Sequence, residues 1–200
     1  MPVFSTVKQK TNKSCLGILS DNALMLQVKA GDLERMSLLF ERHHKTLFGF
    51  LFHLTQRREA SEDMVQTVFY RMLKYRNSFT VGSNFSGWMY HIARNVLKDE
   101  NFGLYSRYDP ISAHEEQLAG GNLADDDLEK KQSRQQLYAA MAILSEGDRE
   151  ILMLNRVREL NYPEISDIMG ISQGAARVRV SRAIEELKKI FIKKGIKRDS

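Results

Sequence analysis

A helix-turn-helix pattern in the last third of the chain constrains its fold more than any other feature. A short amphipathic stretch over 162–169 is followed by Gly170-Ile171-Ser172 and then by a second amphipathic stretch. Glycine turns left-handed at helix ends without penalty, and serine is a good N-cap for the next helix. The second stretch has two faces, apolar positions expected to be buried (Ala176, Val180, Ile184, Leu187) and basic positions pointing outward (Arg177, Arg179, Arg182). The pattern favours a DNA-binding unit over an ordinary helical hairpin with a basic solvated face.

The rest of the sequence also favours helix. Only three prolines interrupt the 200 residues, and Leu, Met, Glu, Lys, Arg and Gln dominate. Apolar stripes therefore predict an all-α fold with several helices. In the first half we expect two helices within 22–56, separated by Ala30-Gly31-Asp32 with Asp32 as N-cap, a third helix from near Ser61 and a fourth from Trp88 to about Glu100. In the second half we expect helical structure to resume near Leu128 and a further helix to be capped by Ser145.

Charge is distributed unevenly along the chain. Residues 1–98 contain 14 basic and 7 acidic side chains, 99–132 contain 3 and 9, and 133–200 contain 13 and 9. The stretch 102–127 within the acidic segment holds Asp109-Pro110 and Gly120-Gly121 and shows weak periodicity, so it is predicted to be a linker. Two basic blocks on either side of an acidic connector are typical of two anion-binding modules.

Aromatic residues alternate with polar ones around the loop before the fourth helix and along the start of that helix. Bases that leave the double helix need a π-face to stack on and polar groups that read their edges. The residues suited to this are Tyr75, Arg76, Asn77, Phe79, Asn84, Trp88, His91, Arg94 and Asn95. For Trp88, packing in the core of a helix bundle is an equally good interpretation, since large aromatic residues are mostly buried.

Four motifs, in this order, resemble those of bacterial RNA polymerase sigma factors of the sigma-70 family, extracytoplasmic-function group. They are AGD at 30–32, EDMVQTVF at 62–69, WMYHIARN at 88–95 and ISDIMGIS at 165–172. The resemblance covers about 22–102 and 133–192. It implies a helical region 2-like domain over 22–102 and a region 4-like helix-turn-helix domain over 133–200, and we expect a flexible tail over 1–21 and an acidic flexible linker over 103–132 outside them.

The resemblance also implies partners and roles. Asp63 and Gln66 would contact the clamp helices of the largest subunit of core RNA polymerase, and the flap of the second subunit would be a further contact. The aromatic loop and the helix after it would bind the −10 promoter element and promote DNA opening. The −35 element would be read by Ser172, Gln173, Arg177, Arg179, Ser181, Arg182 and Lys188. An anti-sigma factor is a further implied partner.

The chain departs from the family pattern at three informative positions. Thr67 stands where a Glu often follows the Gln of the clamp motif, and Ala175 and Val178 stand in a recognition helix that often reads Thr-Val-Lys-Ser-Arg. The last two changes remove hydrogen-bonding groups, so the preferred upstream sequence is expected to differ from that of relatives.

Two other classes of protein compete with this interpretation. A stand-alone helix-turn-helix repressor or activator with a helical sensor domain accounts for the C-terminal half but not for Asp63, Gln66 and the aromatic loop. An enzyme is disfavoured because His43 and His44 are adjacent, about 100° apart on a helix, a poor arrangement for one metal. We therefore expect no catalytic site, cofactor or metal, no membrane insertion, and a cytoplasmic protein whose single cysteine, Cys15, forms no internal disulfide.

Overall fold

The computed structural model describes residues 19–105 and 136–193. All regular structure within these two ranges is helical, which confirms the predicted all-α class. Within 19–105 four helices form an N-terminal domain, and within 136–193 four form a C-terminal domain. In chain order they are α1 (Asp21–Lys29), α2 (Arg35–Thr55), α3 (Arg58–Lys74), α4 (Phe85–Tyr105), α5 (136–141), α6 (Glu146–Leu152), α7 (Tyr162–Met169) and α8 (Gln173–Lys193).

The N-terminal domain is a bundle in which consecutive helices pack side by side, α1 on α2, α2 on α3 and α3 on α4. Each helix contributes an apolar stripe at helical spacing, and the most deeply buried side chains include Leu39, Phe50, Val68 and Met89. A single 3₁₀ turn, Arg76–Ser78, connects α3 to the loop before α4. α4 continues to residue 105, so it passes the expected end of the domain at 102. Residues 1–18 of the expected tail and 106–132 of the expected linker lie outside the described residues.

Two predicted helix starts in this domain are wrong. Asp32 is not the N-cap of α2, because the helix begins at Arg35 and Glu34 takes the cap position. The Asp32 carboxylate instead accepts a hydrogen bond from Arg35 Nε at 2.8 Å. α3 begins at Arg58 rather than near Ser61, because the Ser61 hydroxyl donates to the Arg57 carbonyl at 2.6 Å and is buried inside the first turn.

In the C-terminal domain, α6, α7 and α8 pack around a small core. The predicted cap at Ser145 is confirmed, since its hydroxyl oxygen accepts the amide of Asp148 at 3.3 Å. α6 runs directly into a π-helical segment, Met153–Val157, which no sequence pattern predicts. α7 begins with a capping box in which the side chains of Asn161 and Glu164 each accept the backbone amide of the other residue.

The two domains lie against each other. α4 contacts α7, and α2 contacts α6. Buried side chains of both domains form one continuous hydrophobic cluster, and Leu97 and Ile168 are among its members on the two sides. This packing matters for function because α4 carries several of the residues predicted to bind DNA.

Candidate nucleic-acid and polymerase surfaces

The turn of the helix-turn-helix has the predicted local geometry. Gly170 is left-handed, with φ of 67°, and its amide donates to the Ser166 carbonyl at 2.9 Å. Ile171 is partly buried against the core, and the Ser172 hydroxyl accepts the Ala175 amide at 3.1 Å as an N-cap. The Ser172 side chain is therefore occupied in starting α8, and its predicted contact with DNA would have to share this bond.

α8 presents one buried and one exposed face. Ala176, Val180 and Ala183 are buried, and Ile184 and Leu187 are partly buried beside them. The exposed face contains most of the side chains predicted to meet the −35 element. They are Gln173, Arg177, Ser181, Arg182 and Lys188.

Two arginines of α8 make contacts within their own domain. The Arg177 guanidinium lies over the Tyr162 ring, 5.3 Å from its centroid. Arg179 is turned toward α6, where its Nε donates to Asp148 at 3.2 Å. Arg179 was expected to point straight outward, whereas its side chain is only 40% exposed. Arg182 has no such restraint among the described residues, so it is the most freely available of the three.

The aromatic residues around the loop fall into buried and exposed groups. Phe79 is 1% exposed, and its ring packs edge-on against Trp88 with centroids 5.3 Å apart. In this conformation the Phe79 ring therefore lies in the core and presents no face on which a base could stack. Trp88 is half-buried above Phe79, and its Nε1 donates to the Ser78 hydroxyl at 3.3 Å. Tyr75 is 48% exposed at the end of α3.

The polar residues of this surface differ in how they are held. Asn77, His91 and Asn95 are exposed. Arg76 donates through Nη1 to the Leu73 carbonyl at 2.9 Å. The side-chain oxygen of Asn84 accepts the Gly87 amide at 3.1 Å, which stabilises the first turn of α4.

Arg94 contacts the other domain. Its Nε donates to Glu150 at 2.7 Å, its Nη1 donates to the Ile168 carbonyl at 3.2 Å, and its side chain is 15% exposed. In this closed arrangement the guanidinium is unavailable to DNA. The predicted −10 surface is thus partly covered by the domain predicted to bind the −35 element.

A second cluster joins α2 to the C-terminal domain. Arg158 donates to the Thr46 carbonyl at 2.5 Å, and the His53 ring stacks on Tyr138 with centroids 3.8 Å apart. Arg149 donates to the His53 carbonyl at 3.4 Å. Burial, followed by the positive charges of Arg158 and Arg149, lowers the pKa of His53 from its usual 6.5 to about 4.

The residues predicted to contact polymerase lie on the outer face of α3. Asp63 and Gln66 are exposed and one helical turn apart. Tyr70, which the sequence interpretation did not single out, follows one turn later and is 65% exposed. A shallow cleft between α3 and α4 borders this face, and Arg71 crosses it to donate to Asp99 at 2.7 Å.

Within the ranges 19–105 and 136–193, no cluster of three or more His, Cys, Asp or Glu side chains is arranged to hold a metal ion. Nor is any helix of these ranges long and apolar enough to cross a membrane.

Sequence reasoning predicted exposed faces on α3 and α8, which depend on local patterns, but it missed the contacts between the domains. Glu150 carried no signal, because an acidic residue in the first turns of a helix is ordinary. Tyr70 could have been found from its spacing after Asp63 and Gln66, since the three share one face of α3.

These surfaces define a two-domain helical DNA-binding protein, and comparison with known proteins identifies its family. Residues 39–101 match the family model of sigma-70 region 2, and 134–187 match that of sigma-70 region 4. The chain belongs to the sigma-70 family of RNA polymerase sigma factors, in the extracytoplasmic-function group. As a sigma factor it binds core RNA polymerase and directs it to promoters. A stand-alone repressor or activator is not favoured, because both domains match sigma regions.

Similar proteins span nearly the same length. The chain is 28% identical over 167 residues to RNA polymerase sigma factor CarQ of Myxococcus xanthus, covering 84% of this chain and 95% of that protein. It is 23% identical over 172 residues to ECF RNA polymerase sigma factor SigW of Bacillus subtilis, covering 82% and 92%.

Solved structures support the same fold. CnrH, in complex with the cytosolic domain of CnrY, superposes with a TM-score of 0.65 at 20% identity, covering 90% of this chain and 99% of that chain. The sigma factor RpoE of Bartonella quintana, in complex with the anti-sigma factor NepR, gives a TM-score of 0.59 at 22% identity, covering 81% and 98%.

Proposed function

We propose that the two domains bind the promoter at two separate elements while α3 binds core polymerase. In this proposal the domain over 22–102 binds the −10 element and the clamp helices, and the domain over 133–200 binds the −35 element and the flap, with 103–132 between them as the linker. The protein has no catalytic site of its own and acts in the cytoplasm. The observation that carries the proposal is the exposed aromatic and polar surface that begins at Tyr75 and continues along α4.

On the −10 side, Trp88 is the residue best placed to trap an unstacked base. It is half-buried, so one part of the ring is fixed by Phe79 and Ser78 while the rest faces solvent. A fixed ring loses little conformational entropy when it stacks a base, and such stacking is worth about 1–3 kcal/mol per base. Phe79 acts here as the support of Trp88 rather than as the stacking surface.

The test of this assignment is in vitro transcription with core polymerase on a library of genomic promoters, with start sites mapped. We expect the wild-type protein to stimulate a defined set of starts and Trp88→Ala to reduce them by about tenfold or more, within the range of one lost stacking interaction. On the same promoters premelted around the −10 element, Trp88→Ala should recover most of its activity, because less unpairing is required. An equal defect on both templates would assign Trp88 to folding alone.

On the polymerase side, Asp63, Gln66 and Tyr70 form one exposed row along α3. We expect Asp63→Ala combined with Gln66→Ala to weaken binding to core polymerase in a titration by fluorescence anisotropy. Glu41 is an exposed acidic residue of α2. Glu41→Ala is therefore the matched control and should bind core polymerase as the wild type does. Equal affinity of the double variant and the control would refute this docking surface.

On the −35 side, the basic face of α8 supplies phosphate contacts and base readout. Changing Arg177, Arg179 and Arg182 together to Ala should abolish transcription that depends on the upstream element while binding to core polymerase is unchanged. Unaltered transcription from a cognate promoter would overturn the assignment.

An anti-sigma factor is the remaining proposed partner. Support comes from the resemblance to CnrH and to RpoE of Bartonella quintana, which were solved in complexes with CnrY and with the anti-sigma factor NepR. We expect the chain isolated from its native cells in the absence of inducing stress to elute as a heterodimer in size-exclusion chromatography. Elution only as monomer and as polymerase holoenzyme would argue against this partner.

A further inference from the structure

Val178 occupies the centre of the outward face of α8. The buried row of the helix is formed by Ala176, Val180 and Ala183. Residue 178 lies about 200° from residue 176 and from residue 180 on a helix of 3.6 residues per turn, so it points away from that row. Its side chain is 51% exposed, although valine is among the residues most often buried. Its exposure therefore has no explanation in the packing of the domain.

On the N-terminal side of Val178 the outward face of α8 is small and uncharged, whereas Arg182 lies one turn after it. Gly174 lies one turn earlier on the same face, and a Cβ placed there would touch only the Ser172 hydroxyl, at 3.9 Å. The two neighbouring arginines are drawn aside, Arg177 over the Tyr162 ring and Arg179 to Asp148. In the first two turns of α8, Gly174 and Val178 thus form an uncharged ridge, with guanidinium groups on either side of it.

This ridge matches one chemical feature of the major groove. The 5-methyl group of thymine is the apolar group that a base pair presents there, and apolar side chains pair with it. The residues at the start of a recognition helix are the ones that reach base edges. A glycine before the contact residue lets the helix approach the base edges closely, because no side chain intervenes.

We infer that Val178 is a specificity-determining residue, which selects a thymine in the upstream promoter element by contact with its 5-methyl group. The inference rests on the proposed placement of α8 in the major groove at the −35 element, and it deepens that proposal. Burial of one methyl group against Val178 corresponds to a discrimination of about fourfold between thymine and uracil at a single position.

The test uses the full chain with core polymerase and a promoter whose upstream element is first selected from a randomised duplex. Each thymine of the selected element is then replaced, one at a time, by uracil, which removes only the methyl group. The wild type should lose about fourfold in initiation rate at one position and little at the others. Val178→Ala should initiate equally on thymine and uracil at that position.

Two variants make the result specific. Val178→Thr keeps one methyl group and the β-branched shape, so it should retain part of the discrimination. Ile192→Ala also truncates an exposed apolar side chain of α8, 80% exposed, but about 21 Å further along the helix, and should discriminate as the wild type does. Circular dichroism should show the same helicity for all three variants, since both positions are exposed.

The outcomes separate this inference from the proposed function. If an upstream element is selected but no thymine shows a methyl effect, or if Val178→Ala keeps the full effect, the inference fails and the placement of α8 stands. If no upstream element is selected at all, the placement of α8 at the −35 element fails, and the inference fails with it.

Discussion

Arg94 of α4 and Glu150 of α6 form an ion pair between the two domains, with Arg94 Nε 2.7 Å from the Glu150 carboxylate. Their side chains are 15% and 9% exposed. Removing one partner of such a pair leaves a poorly solvated charge, which costs up to about 3–5 kcal/mol when the site is fully buried. Separation of the domains would return the charge to water. The pair therefore links the availability of Arg94 to the relative position of the domains.

The first prediction is that Glu150→Gln shifts the free protein toward an open arrangement. Arg94 loses its charged partner, and opening of the domains allows its guanidinium to be solvated. Fluorescence energy transfer between dyes on Lys98→Cys and Ile192→Cys, in a Cys15→Ser background, should report a longer mean distance between the domains. Asp99→Asn is the matched control, because it breaks the 2.7 Å pair with Arg71 inside one domain. The same distance in both variants would contradict the prediction.

The turn and the helix caps were predictable from the sequence, because a few neighbouring residues decide their geometry. Gly170, Ser172 and Ser145 fulfil their expected roles because turn and cap geometry depends on residues within four positions. The Arg94–Glu150 pair joins positions 56 apart, and nothing in either local sequence indicates the partner.

The structure differs from what the sequence led us to expect at Phe79 and Asp32, and each difference has a physical cause. Phe79 lies in a polar loop, yet its ring is buried, because burial of an aromatic residue depends on the helices that pack around it rather than on its neighbours in sequence. Asp32 is a good N-cap residue, but its carboxylate bonds the Arg35 side chain and α2 begins later. Competing local hydrogen bonds of this kind decide where a helix starts.

The second prediction concerns pH. The pKa of His53 is lowered to about 4 by burial and by Arg158 and Arg149, compared with 6.5 for a free histidine. Between these values the unfolded chain binds more protons than the folded chain, so the contribution of neutral His53 to stability falls as the pH drops from 6.5 toward 4. Above pH 6.5 the contribution is fully present. Urea unfolding at pH 7.5 and pH 5.0 should therefore show a lower midpoint at pH 5.0.

The matched variant for this measurement is His53→Phe. Phenylalanine keeps a ring that stacks on Tyr138 but has no titrating group. Its loss of stability between pH 7.5 and pH 5.0 should be smaller than that of the wild type. Identical losses in the two proteins would show that carboxylates elsewhere account for the pH dependence.

The third prediction concerns Arg149, whose guanidinium caps the end of the segment that follows α5. Its Nε and Nη2 donate to the carbonyls of Met141, Ala142 and Leu144 at 3.1, 2.7 and 3.1 Å. Lysine keeps the charge but lacks the planar fork that reaches several acceptors together. We expect Arg149→Lys to lower the free energy of unfolding by about 2 kcal/mol, within the range for charged hydrogen bonds. Arg156→Lys, at an exposed position, should change the urea midpoint little, and a similar loss in both variants would refute the capping role.

The last prediction separates two glycines of the helix-turn-helix that lie four residues apart. Gly170 has φ of 67°, a conformation that costs other residues about 1–2 kcal/mol, whereas Gly174 lies within α8, where alanine is favoured over glycine by about 0.5–1 kcal/mol. Gly170→Ala should therefore lower the thermal midpoint, and Gly174→Ala should raise it or leave it unchanged. Space does not distinguish the two sites, because an added Cβ meets nothing within 4 Å at Gly170 and one hydroxyl at 3.9 Å at Gly174. Scanning calorimetry of the two variants measures the difference, and shifts of the same sign would show that backbone conformation does not set the stability of the turn.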